Sequence, residues 1–256
     1  MSIGKIIHRL VILLIAFLFA GCSVNSTALR EEKTRATEDM GISLVRQGKL
    51  RAGLEQLLKA VESDADNPDL QHELARVYYD LGEYQLSLEH FKKALRLRPN
   101  FSEALNNMGV LYVHLREWDL ALDCFQRAAD DILYRTPQYA YYNMGSVYFH
   151  KGDYAKAIEN YKQALHFAPN YIDAYYDLGS AYEATGRLEE ARSAYEKAIS
   201  LDPEFQSARL NLGRVYLKLN RPQEAMEELE KVIKADPRSD LAKQARQLLS
   251  GNQEVR

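Results

Sequence analysis

Residues 138–171 read QYAYYNMGSVYFHKGDYAKAIENYKQALHFAPNY, and the pattern of this stretch returns along most of the chain. Its anchor is Leu or Met, then Ala or Gly, then Tyr three positions after that: Leu74-Ala75-Tyr78, Met108-Gly109-Tyr112, Met144-Gly145-Tyr148, Leu178-Gly179-Tyr182 and Leu212-Gly213-Tyr216. The interval is 34 residues, broken once by 36. Small and apolar positions follow at fixed offsets and end in proline, as in Ser87, Phe91, Ala94, Pro99, and again in Ala157, Tyr161, Ala164, Pro169. Ala191, Tyr195, Ala198, Pro203 and Ala225, Leu229, Val232, Pro237 continue the series. Self-similarity at such a period marks stacked helix pairs, none of which can bury its apolar face except against its neighbours. Gly109 and Ala121 predict a close approach of two helices, with Tyr112 and Phe125 filling the space beside them. Gly82, Gly152 and Gly186 fall where a first helix must end in a left-handed residue, and Pro99, Pro169 and Pro203 stop second helices.

The pattern resembles the tetratricopeptide repeat over nearly all of residues 34–239. That resemblance implies an all-α fold, a right-handed superhelical solenoid of six repeats at about 34–67, 68–101, 102–137, 138–171, 172–205 and 206–239. The first repeat is the weakest match, carrying Met40-Gly41, Leu44, Gly48, Gly53, Leu57 and Ala60. Gly53 stands where other repeats have Ala or Ser, so its helix is expected to be the least stable. Asp240 is placed to cap a last helix, 240–249, whose Leu241, Ala245, Leu248 and Leu249 would cover the open end of the stack, leaving 250–256 as a flexible tail.

At 256 residues, 46% apolar and 27% charged, the chain can bury a sizeable core. A net charge of -3 offers no basic surplus for neutralising phosphates, which argues against nucleic acid as a partner. The beginning differs from the rest: Lys5 and Arg9 precede an apolar run from Leu10 to Ala20, followed by Gly21-Cys22. Eleven helical residues span about 16 Å, too short for a hydrocarbon core of about 30 Å, so 1–21 reads as a signal peptide. Ala20-Gly21-Cys22 resembles the bacterial lipobox, which implies lipidation of Cys22 with palmitate among the acyl groups, a tether over 22–33, and an outer-membrane anchor facing the periplasm. The alternative is a plain thiol at the end of an uncleaved anchor, and either reading leaves the remainder outside the cytoplasm. Beyond Cys22 only Cys124 remains, so no internal disulfide can form.

One repeat is longer than the others. From Ala129 to Pro137 the chain reads Ala-Asp-Asp-Ile-Leu-Tyr-Arg-Thr-Pro, two residues more than its counterparts. Taken alone this is a tolerated surface loop, since closure entropy depends weakly on length. Together with the lipobox and six repeats, the segment Leu133-Tyr134-Arg135-Thr136-Pro137 resembles the PilF/PilW family of type IV pilus biogenesis lipoproteins. Arg135 stands where that family's pattern has Pro, and Cys124 is single where some members carry paired cysteines. The resemblance implies a pilotin, a lipoprotein that helps a secretin subunit reach the outer membrane and assemble. Another periplasmic adaptor, serving cell-wall enzymes or envelope assembly complexes, is the second reading.

In the tetratricopeptide family, first-helix positions 2, 5, 9 and 12 line a concave groove. By that count Tyr79, Val110, Val113, Tyr139, Tyr142, Phe149, Tyr176 and Arg214 are candidate peptide-binding residues, with Arg76, Asn106 and Glu183 beside them and Ile42 and Val45 extending the lining. Position 5 holds His72, Asn106, Tyr142, Tyr176 and Leu210, without the Lys and Asn pairing that grips a terminal carboxylate. The expected ligand is an apolar or amphipathic peptide anchored by rings. Tyr112, Tyr148, Tyr182 and Tyr216 sit at the packing position and are expected in the core, as is Trp118. No nucleophile with a base, no convergent carboxylates and no glycine-rich phosphate loop is present, so no catalytic or cofactor residue is assigned. His114 with His150 and His90 with Cys124 occupy equivalent positions, but two ligands do not make a metal site. The run Glu224, Glu227, Glu228, Glu230 with Lys231 and Lys234 reads as a solvated helix face.

Overall fold

The computed structural model describes Leu29 and residues 31–251, so the signal peptide, Cys22 and most of the expected tether and tail lie outside the described residues. No strand occurs among the described residues, and no described helix is long and apolar enough to cross a membrane. The chain forms two compact units, one through Ala104 and one from Leu105 on.

The first unit holds α1 (31–46), α2 (Leu50–Ser63), α3 (Pro68–Asp80), α4 (Tyr84–Leu97) and the start of α5 (Ser102–His114). Asn67 caps α3 by accepting from the backbone N–H of Asp69 and Leu70, and Pro68 opens the helix where its missing donor is harmless. The core gathers Leu57, Ala60, Leu70, Leu74 and Val77, with Ile42, Val45 and Leu54 packed against it. Ser87 replaces the usual alanine without leaving an orphan, because its Oγ donates to the Ala75 carbonyl at 2.7 Å. His72 is buried against Phe91 and Phe101, at ring distances of 6.0 and 4.9 Å. Burial, aided by the Arg76 charge, pushes its pKa down to about 4, and Glu73, 3.8 Å away, is already engaged by Arg76 at 3.0 Å.

The second unit holds the rest of α5, then α6 (Trp118–Ala129), α7 (Pro137–His150), α8 (Tyr154–Phe167), α9 (Ile172–Ala184), α10 (Leu188–Leu201), α11 (Gln206–Lys218), α12 (Pro222–Ala235) and α13 (Asp240–Gly251). From α6 onward each helix packs on the next, and first helices also meet across repeats, α7 on α9 and α11 on α13. Helices of one repeat touch because glycine lets them: a Cβ on Gly145 would lie 2.6 Å from the Tyr161 ring, and one on Gly179 2.7 Å from the Tyr195 ring. The rings of Tyr161 and Tyr195 are in turn fully buried.

Gly152 closes its first helix with φ 77°, as the sequence predicts, while Arg116 (φ 61°) and Asn220 (φ 57°) take the left-handed conformation at the equivalent turns of their repeats. Tyr112, Tyr182 and Tyr216 are buried, but Tyr148 is only half-buried, with Lys156 over its ring at 5.1 Å. Trp118 is likewise half-buried rather than core, stacked on His150 at 6.1 Å.

Three further sequence expectations need correction. Ser239, not Asp240, caps α13: its Oγ accepts from the Ala242 N–H at 3.1 Å, and Asp240 lies inside the first turn, paired with Lys243 at 2.7 Å. The last helix runs to Gly251, past the expected end at 249. The acidic run on α12 is not wholly solvated, because Glu228 reaches back to Arg209 of α11 at 2.7 Å, with both side chains 15% exposed.

Candidate protein-binding face

The first helices of the second unit carry rings that stack in a repeating manner. Tyr171, the residue that precedes α9, packs on Tyr142 of α7 with ring centroids 4.9 Å apart, and Phe205, which precedes α11, packs on Tyr176 of α9 at 5.0 Å. In the first unit Phe101 does the same to His72. The position-5 ring of each of these repeats is thus covered by the last residue of the same repeat, just before the next first helix begins. Tyr139 meets Tyr171 edge-on at 5.8 Å and 83°, and is itself 46% exposed. Phe149 packs edge-on against Tyr154 at 5.3 Å and is half-buried, as are Val110 and Val113. In the first unit Tyr79 is half-buried against Tyr84 at 5.8 Å, while Ile42 and Val45 are packed on that unit's core.

Polar groups bind these first helices to one another. Tyr142 Oη donates to Asp177 Oδ2 at 2.8 Å, and Asn211 Nδ2 donates to Tyr176 Oη at 3.2 Å. Asn143 Nδ2 donates to Asn106 Oδ1 at 3.1 Å. Asn143, Asp177 and Asn211 share one repeat position, the residue before the Leu/Met-Gly pair. The groove count over positions 2, 5, 9 and 12 passes over it. Its signal in the sequence is a polar residue recurring every 34 residues inside an otherwise apolar helix stretch.

Arg214 is drawn into a cluster with Glu183. Its Nε and Nη2 donate to the two Glu183 oxygens at 2.8 and 2.9 Å, Lys218 Nζ donates to Oε1 at 2.8 Å, and Tyr195 Oη to Oε2 at 3.3 Å. Burial alone would raise the Glu183 carboxyl, but the hydrogen bonds and charges of Arg214 and Lys218 outweigh it and hold the group below the usual carboxylate range. Asp177 is the opposite case. It is half-buried on the same helix, and burial lifts its carboxyl above the ordinary value. The Tyr142 hydrogen bond works against that rise, Asp173 adds to it, and the charge of His150 opposes it. Tyr142 and Tyr171 are themselves raised, first by burial and then by the carboxylates of Asp177 and Asp173 respectively.

The lengthened third repeat forms a fixed turn between α6 and α7. Asp131 Oδ1 accepts from the Leu133 N–H at 2.9 Å, Asp131 O accepts from the Tyr134 N–H at 3.0 Å, and the Tyr134 side chain is 7% exposed. Ile132 and Leu133 are turned outward, 97% and 82% exposed. Cys124 is buried, with burial pushing its thiol up to about 12, so it is a packing group at neutral pH. Among the described residues no three His, Cys, Asp or Glu side chains gather as a metal site requires.

A family model described as "Tetratricopeptide repeat" matches residues 100–168 and 136–204, a second so described matches 186–249, and a "TPR repeat" model matches 75–115. The structure of Pseudomonas aeruginosa PilF is similar to this one with a TM-score of 0.76 at 20% identity, covering 89% of this chain and 99% of that one. The structure of PilW, described as a widely conserved type IV pilus biogenesis factor, is similar with a TM-score of 0.74 at 23% identity, covering 81% of this chain and 96% of that one. Among curated proteins, tetratricopeptide repeat protein 13 of Homo sapiens is 24% identical over 176 residues, 63% of this chain but only 20% of that protein. Repeat period, helix pairing and these matches agree, and the chain belongs to the tetratricopeptide-repeat family, whose members are protein-interaction scaffolds.

Proposed function

We propose that this scaffold is an outer-membrane lipoprotein, anchored through Cys22, that acts as a pilotin in type IV pilus biogenesis by holding a secretin subunit on its first-helix face. The observation that carries the protein-binding part is the row of half-exposed rings, Tyr139, Tyr142, Tyr171 and Tyr176, held in register by stacking and by hydrogen bonds between repeats. Rings fixed in this way offer a partner large apolar area with little entropy left to lose. Support for the pilus role comes from the similarity to PilF and PilW, which takes in nearly the whole length of both.

Deletion of the protein tests the reading: secretin is expected to remain monomeric and pili to be lost, with both restored by the wild-type chain and neither by Cys22→Ser. Normal secretin rings in the deletion strain overturn the pilotin role. Recovery of cell-wall hydrolases, with no secretin or pilus component, by pull-down from envelope extracts would assign the same face to a different adaptor.

A further inference from the structure

The carboxylate of Asp177 is a half-buried charge with little compensation: a hydrogen bond from Tyr142 and the charge of His150 are what oppose its burial. It is half-buried, it accepts one hydrogen bond, from Tyr142, and no Lys, Arg or His forms an ion pair with it among the described residues. Six residues along α9, Glu183 has an arginine and a lysine. A second carboxylate, exposed Asp173, sits one turn before Asp177 and deepens the negative field. Around this pair stand three rings in different planes: Tyr171 meets Tyr139 at 83° and Tyr142 at 45°. Aromatic faces attract cations, and a half-buried carboxylate lacking a cation gains most from one supplied from outside.

We propose that Tyr139, Tyr142, Tyr171 and Asp177 form a seat for a basic side chain, arginine or lysine, of the protein partner. Charge complementarity selects this occupant: the Asp177 carboxylate lies against the Tyr142 ring with Asp173 one turn before it, and a purely apolar or acidic group placed there would leave Asp177 uncompensated or repelled. Arg214 does not fill the role, because both arms of its guanidinium are committed to Glu183. The inference rests on the first-helix face being the partner-binding face, and it adds that the docked segment carries a cation where it crosses from α7 to α9.

The test uses the whole protein with ring-labelled tyrosine, titrated with N-acetyl-arginine amide and followed by NMR, with N-acetyl-citrulline amide as the uncharged control of the same shape. Saturable shifts confined to Tyr139, Tyr142 and Tyr171, assigned by single Tyr→Phe variants, are expected with an affinity on the order of millimolar for one isolated contact. The citrulline probe is expected to bind at least about fivefold more weakly, and Asp177→Asn to weaken arginine binding by a similar factor. Equal shifts with citrulline, undiminished binding by Asp177→Asn, or shifts spread over all tyrosines overturn the proposal. Failure here and failure of the pilotin reading are separable, since secretin assembly in the deletion strain does not depend on the arginine probe.

Discussion

One repeat apart, the same two positions carry Tyr142 with Asp177 and Tyr176 with Asn211. Both pairs are joined by a hydrogen bond across repeats, and both rings are covered by the aromatic residue that ends their repeat, just before the next first helix. The difference is one atom in kind: an amide can satisfy a tyrosine hydroxyl at no charge, whereas the Asp177 carboxylate brings a charge that burial penalises, that His150 offsets only in part, and that no ion pair meets among the described residues. The stack therefore does not need a carboxylate at this position, as Asn211 demonstrates. Glu183 completes the comparison as a carboxylate that the fold does use, because two cations meet it.

The largest way to break the comparison is to displace the helix that carries both acids. Gly179→Leu drives a side chain into the Tyr195 ring and is expected to destabilise by about 3 kcal/mol, read as a lowered midpoint in chemical unfolding. Glu183→Gln removes the anion from between Arg214 and Lys218, whose side chains are 38% and 48% exposed, so solvent screening limits the loss to about 1.5 kcal/mol. Tyr142→Phe deletes the one hydrogen bond that Asp177 accepts and is expected to cost about 1 kcal/mol at neutral pH, by the same measurement. Asp177→Asn, which copies the Asn211 arrangement, is the smallest change and has the opposite sign, a gain of about 0.5 kcal/mol.

Acid sharpens the contrast. The folded-state pKa of Glu183 is lowered, so its contribution is present above its ordinary value of 4.5 and is lost as pH falls through the depressed folded value. The folded-state pKa of Asp177 is raised above 3.8, so its penalty is full above the folded value, shrinks as pH falls through that value and disappears only well below 3.8, where both states are protonated. The deficit of Glu183→Gln and the gain of Asp177→Asn thus both close on acidification, from opposite sides of the wild type.

The repeat was legible because its determinants are local and periodic: Gly145 and Tyr161, or Gly179 and Tyr195, sit at fixed offsets within one helix pair. The tyrosine-lined face was legible for the same reason, since Tyr139, Tyr142 and Tyr176 fall at counted positions. Asp177 was not, because its environment is set by Tyr142, 35 residues away in the preceding repeat, and nothing in its own neighbourhood announces a missing cation. Arg214 was placed on the face by counting, yet its commitment to Glu183 depends on a partner 31 residues upstream. The third-repeat turn shows a further limit. Ile132, Leu133 and Tyr134 stand side by side, and nothing in their order tells that Tyr134 turns inward while the other two face out, around a backbone fixed in part by the hydrogen bonds of Asp131.

The most direct measurement is the unfolding midpoint of Asp177→Asn against wild type at pH 7 and again about one pH unit or more below 3.8. An undercompensated carboxylate kept for an external cation predicts a variant more stable than wild type at pH 7 and indistinguishable from it about one pH unit or more below 3.8. A variant less stable than wild type at pH 7 would show that Asp177, like Glu183, is held by the fold itself.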